Sequence, residues 1–211
     1  MQQEQPFDER QSFMIIQQMI NTAKEEQKDD GKSWIIWGWM LFIASIATII
    51  NMEFGTWKTF IFWDAFGIFT ILFTIYQFWA SARGNKRVRV KTFTQEIFRK
   101  LNAGFFISLV FIIIAMNIGI NPKIGFPLLM DLYGFWILIY GTVLNFKPSM
   151  IGAFAMWFLA FVALFFAKSF QVTMALHAAG VLVGYIIPGH IANTEFKKVA
   201  ARNLSNQKSS V

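Results

Sequence analysis

Three ionisable side chains stand inside long apolar stretches of this chain: Asp64, Asp131 and His177. An ionisable group in hydrocarbon costs about 3 kcal/mol or more unless it is paired or hydrated, so these residues must earn their place by binding or by structure. Each lies near the start of its stretch. With a rise of about 1.5 Å per residue, all three would sit roughly 8 to 9 Å below one and the same membrane boundary. Asn117, near the end of another apolar stretch, joins that layer.

The surroundings repeat. Asp64-Ala65-Phe66-Gly67, Asp131-Leu132-Tyr133-Gly134 and His177-Ala178-Ala179-Gly180 share one frame, an acid or histidine followed two residues later by a pre-glycine position and glycine. Gly38, Gly104 and Gly152 precede the ionisable group by 26, 27 and 25 residues. This pattern predicts three repeated helical hairpins, the first two more alike than the third.

Two roles stay open for the layer. In the functional one, Asp64, Asn117, Asp131 and His177 line a hydrated intramembrane site that binds a proton or a cation, or pairs with a cationic solute. In the structural one they hydrogen-bond between helices, each contact contributing about 1 kcal/mol or less in a membrane. Two carboxylates and an imidazole could ligate a metal, but no His-x-x-His, His-Glu-x-x-His or glutamate cluster supports one, and no metal site is expected. The chain has no cysteine, which excludes disulfides, thiolate metal sites, thiol catalysis and covalent c-type haem. Neither Gly-x-Gly-x-x-Gly, a Walker sequence nor a Gly-x-Ser-x-Gly elbow occurs. No cofactor and no catalytic residue is therefore expected.

The elements that must carry this layer are membrane helices. Apolar residues make up 55% of the chain and charged ones only 15%, too greasy for an ordinary soluble domain. Six runs reach the length of a span, which needs about 20 apolar residues. They are 34–50, 59–80, 103–120, 126–144, 149–167 and 171–188. Pro188-Gly189 is expected to stop the sixth, followed by a short helix over 191–202 and a disordered tail from 203. Trp34, Trp37, Trp39, Trp57 and Trp63 lie near predicted interfaces and read as an aromatic belt. Gly180 and Gly184 on the sixth span, with Gly152, Ala155, Ala160 and Ala163 on the fifth, read as close-approach surfaces.

Lysine and arginine set the orientation. With the N-terminus inside, the inner side holds 16 of them and the outer side only Lys58, Lys123 and Lys168. Positively charged loops stay cytoplasmic, so both termini are expected inside. The connection 81–102 carries seven of the basic residues. The net charge of +7 then faces anionic lipid headgroups. Nucleic acid is not expected, because the loop lacks interleaved aromatics and any helix-turn-helix pattern.

No cleavable signal peptide fits the polar start, so the first span serves as its own insertion signal. Asp8 can cap a helix that places Phe13, Ile15, Ile16, Met19, Ile20 and Ala23 on one arc, with Gln11, Gln17, Gln18, Asn21 and Thr22 opposite. The organisation expected is a cytoplasmic amphipathic segment 1–32, a six-helix transmembrane domain 33–189 and a cytoplasmic tail 190–211.

Trp37-Gly38-Trp39, the Asp-x-aromatic-Gly repeats, Phe146-Lys147-Pro148 and Gly184-Tyr185-Ile186-Ile187-Pro188-Gly189-His190 resemble a family of uncharacterised bacterial six-span membrane proteins. The resemblance implies a bacterial inner-membrane location and carries over no functional residue. The expected function is that of a non-enzymatic sensor, regulator or assembly factor acting through a cytoplasmic protein partner. The alternative is a small transporter or channel using the outer polar layer for a proton or cation. A lipid-modifying membrane enzyme has no residue in its favour, and the small-residue faces would also suit a homo-oligomer.

Overall fold

The computed structural model describes the backbone of residues 30–55, 57–83 and 93–209, with side chains there except at 73–78, 80–83, 93–99 and 202–209. The amphipathic helix expected over residues 8–23 lies outside the described residues. Every described element is helical: α1 (Lys32–Phe54), α2 (Ile61–Arg83), α3 (Phe93–Ile118), α4 (Pro122–Val143), α5 (Lys147–Phe166), α6 (Phe170–Val181), a π turn (Leu182–Ile186) and α7 (Ile187–Ser209). Contacts divide the chain into two compact units, Gly31–Ile191 and the pair Met1–Asp30 with Ala192–Val211.

Helix ends follow local chemistry. Asn121 caps α4 by accepting from the Lys123 N–H at 2.9 Å, with Pro122 in the first turn, where a missing N–H costs nothing. Ser169 caps α6 by accepting from the Val172 N–H at 3.4 Å. Between α1 and α2, the Asn51 side-chain amide donates to the carbonyls of Trp57 and Lys58 at 3.2 and 3.3 Å, closing the turn from one residue.

Among the described residues, five helical stretches are long and apolar enough to cross a membrane: Lys32–Phe54, Lys100–Ile118, Pro122–Val143, Lys147–Phe166 and Phe170–Ala201. In α2 the described apolar part is the shorter Ile61–Leu72. The chain is thus a membrane-type helix bundle. The expected helices 126–144 and 149–167 lie within a few residues of the ends of α4 and α5.

Three expectations are corrected. The connection 81–102 is partly helical: α2 continues to Arg83 and α3 begins at Phe93. Arg, Lys, Gln and Glu interrupt hydropathy there without opposing a helix. Pro188-Gly189 does not end the last helix, which continues to Ser209 through the residues expected to be a disordered tail. Its continuity depends on the π turn, in which the Ile187 N–H reaches back to the Leu182 carbonyl, one residue further than an α-helix would. The wider turn sets the ring of Pro188 into a path that a regular α-helix would block. Trp34, finally, belongs to the core rather than a belt: it is 8% exposed and its ring lies 4.5 Å from that of Tyr140 and 5.0 Å from that of Tyr185.

Helices α1, α4, α5 and α6 with the π turn form the packed centre, while α2 packs on α1 and α3 on α4. Lipid tails are as apolar as leucine, so close fit rather than water exclusion must hold such helices together. At the π turn, glycines of two other helices come close to backbone atoms. A Cβ added at Gly38 of α1 would lie 2.8 Å from a side-chain carbon of Ile186 and 3.3 Å from its backbone nitrogen. One added at Gly152 of α5 would lie 2.9 Å from the Val183 carbonyl oxygen and 3.1 Å from Gly184 Cα. Two glycines from different helices therefore hold the π turn at backbone distance.

The expected hairpin repeats are not packed alike. Gly67 and Gly104 have nothing within 4 Å of an added Cβ, whereas Gly134 faces the Trp157 ring and Gly180 faces Met156 and Met130. Gly152→Ala should therefore lower stability by about 1–3 kcal/mol, since the obstructing atoms are backbone. Gly67→Ala should be neutral or stabilising by up to about 1 kcal/mol through helix propensity. Thermal unfolding of both variants in detergent measures the contrast.

Candidate functional site

The four residues of the expected polar layer occupy different environments. Asp64 on α2, Asn117 on α3 and Asp131 on α4 are exposed on the bundle's surface, and His177 on α6 is 0% exposed. The Asn117 amide donates to the Ile113 carbonyl of its own helix at 2.8 Å. At Asp131 the backbone carbonyl accepts from the Trp157 indole N–H at 3.0 Å, joining α4 to α5. The interior thus receives the imidazole, while the two carboxylates and the amide remain outside. Among the described residues no group of His, Asp or Glu is arranged to hold a metal ion.

His177 is held by a residue the sequence reading did not single out. Its Nδ1 lies 2.8 Å from Ser45 Oγ on α1, and the same Oγ lies 2.7 Å from the Leu41 carbonyl oxygen. A carbonyl can only accept, and a hydroxyl has one proton, so that proton goes to Leu41. Ser45 Oγ must then accept from His177, which places the ring proton on Nδ1 of the neutral imidazole. Nε2 is left as a lone-pair acceptor.

Around the ring stand aromatic side chains from two further helices. Trp63 of α2 contacts it at 5.4 Å between ring centres, Phe126 of α4 at 5.6 Å and Tyr133 of α4 at 6.1 Å. Trp63 also meets Phe126 edge-on at 4.7 Å. Trp63 had been expected in the aromatic belt, but its indole nitrogen is buried. Both His177 Nε2 and Trp63 Nε1 are enclosed without a hydrogen-bond partner. The sequence signal for this site was faint, consisting of Ser45 and Thr48 within an otherwise apolar span.

Other interior hydroxyls are spent locally. Thr48 donates to Ala44 at 2.7 Å and Thr173 to Ser169 at 3.3 Å, each within one helix or its cap. Ser149 donates from α5 to the Ile137 carbonyl of α4 at 3.3 Å. These bonds do not extend the Ser45–His177 pair into a polar chain. A separate open cleft of about 400 Å³ lies at the end of α1, walled mainly by Ala47, Ile50, Phe54, Trp57 and Phe62, with Asn51 as its polar side chain. Its lining includes none of the four expected site residues.

No family model, no curated protein and no solved structure matches this chain. The site is therefore read from its own geometry.

Ser45→Ala should leave the His177 Nδ1 proton buried without an acceptor and cost about 1–3 kcal/mol. The exposed Asp64→Asn and Asp131→Asn should change stability by no more than about 0.5 kcal/mol. Unfolding titrations in mixed micelles, with the three variants side by side, test this ordering.

Proposed function

We propose that this chain is a multi-pass bacterial inner-membrane protein with both termini in the cytoplasm, acting without enzymatic chemistry as a sensor, regulator or assembly factor through a cytoplasmic protein partner. The observation that carries the reading is α7. Its described part from Ala192 on belongs to the second unit and is largely polar: Thr194, Glu195, Phe196, Lys197 and Lys198 are all exposed. Within that unit the Asn193 amide donates to the Asp30 carbonyl at 2.7 Å, bringing residues from the two ends of the chain together. Phe196 offers a partner an aromatic anchor, a residue type enriched at recognition surfaces, and the charged residues beside it suit a polar rim. The bias of 16 basic residues to three supports placing it in the cytoplasm, where it also meets anionic headgroups.

A photoreactive amino acid replacing Phe196 in living cells tests the reading. The expected result is one discrete protein adduct that weakens at least fivefold when Lys197→Glu and Lys198→Glu are combined, with membrane insertion unchanged. Adducts to lipid alone would overturn it.

The transporter or channel reading draws support from one observation, the buried His177 with its free Nε2 lone pair. Proton or cation flux in liposomes, compared for the natural chain and for His177→Ala, Asp64→Asn and Asp131→Asn, tests it. Flux that requires His177 would favour this reading over the first.

A further inference from the structure

The enclosed pair at the outer end of α2 has a definite chemical preference. His177 Nε2 can only accept, because Ser45 fixes the ring proton on Nδ1, and Trp63 Nε1 can only donate. Both atoms are buried and neither has a partner. Their rings meet nearly perpendicularly, 80° apart with centres 5.4 Å apart. An oxygen that hydrogen-bonds to two nitrogens at about 2.9 Å each can span a gap of up to about 5.8 Å.

We propose that His177 Nε2 and Trp63 Nε1 together form a binding site for one hydroxyl oxygen, that of a single enclosed water molecule. The chemistry excludes the alternatives one by one. A cation would suit the lone pair on Nε2 but would be opposed by the indole N–H, which presents its positive end. A carbonyl would take the indole proton and offer nothing to Nε2. An ammonium would supply a proton to Nε2 and repel the indole. A water oxygen both gives and receives through one small atom, and the rings of Phe126 and Tyr133 stand against the same imidazole. Buried waters are common where polar groups would otherwise go unpaired, and each is an integral part of its fold. Here the water would join α2, which packs on α1, to α6. The site stands apart from the cytoplasmic reading and bears on the transporter alternative, because it is built for a neutral guest.

Nuclear magnetic resonance on the full chain in micelles tests this, with ¹⁵N-labelled histidine, tryptophan and glycine and with His190→Gln to leave one imidazole. Three results are expected. The His177 ring should show a protonated Nδ1 and an unprotonated Nε2. The Trp63 indole proton should give a cross-peak to a long-lived water. In Trp63→Phe, which keeps a ring in place, the Nε2 resonance should move towards that of a free acceptor while the Gly134 and Gly152 amide signals of α4 and α5 stay put. Scalar coupling between the indole nitrogen and Nε2 would show a direct bond and overturn the proposal. So would a protonated Nε2, or a Trp63 indole proton with no water contact.

Discussion

Backbone contact at the π turn is the constraint on which the centre of this bundle rests. Gly38 approaches the turn from α1 and Gly152 from α5, and in both cases the atoms that a side chain would strike include backbone. Backbone cannot rotate aside as a side chain can, so the two glycines fix how α1 and α5 stand against the helix between them. Pro188 makes the turn itself necessary by denying the helix a donor and crowding the carbonyl one turn back. Tyr185, within the turn, then lies tilted against Trp34 at 5.0 Å and meets Tyr133 at 6.0 Å between ring centres. The aromatic cluster of Trp34 and Tyr185 and the histidine site are thereby attached to one helix.

His177 sits five residues before that turn, on the same helix. Its hydrogen bond to Ser45 crosses to α1, the helix that Gly38 also brings close. Both contacts hold α1 against the last helix, one on α6 by polar complementarity and the other at the π turn by the absence of a side chain. In a membrane, where packing and hydrogen bonds replace the expulsion of water as the associating forces, such a pairing is economical. It also locates the polar chemistry in the bundle's centre while Asp64 and Asp131 stay at its surface.

The sequence revealed helices far better than faces. Long apolar runs located α4 and α5 within a few residues, because turn signals such as Asn121-Pro122 and Phe146-Lys147-Pro148 bound them sharply. A helix that is apolar all round has no stripe to show which side meets its neighbours. Asp64, Asp131 and His177 therefore looked equivalent at similar depth, and only packing separates two surface acids from a buried imidazole. Ser45 was overlooked because one hydroxyl scarcely alters hydropathy. Pro188-Gly189 misled for a different reason, since the stop it signals is overridden by the turn before it. The helical ends of the basic connection were hidden by charge, which marks the edge of an apolar run without marking the end of a helix.

The π turn also leaves a trace in the spacing of buried residues. Thr173, His177, Val181, Tyr185 and Gly189 are all buried, each four residues after the last. On a regular α-helix steps of four advance about 40° too far each time, so such a row would wind away from the core within a few turns. The widened turn takes back part of that advance and lets the row keep facing inward. The last helix consequently keeps two counts, one before residue 182 and one after 186. A helical wheel drawn through all of it would set Gly189 about 120° away from His177, although both are buried. Chain length is thus part of the message here: within those five residues, the number of residues present decides which side chains the rest of the helix turns inward, independently of what those side chains are.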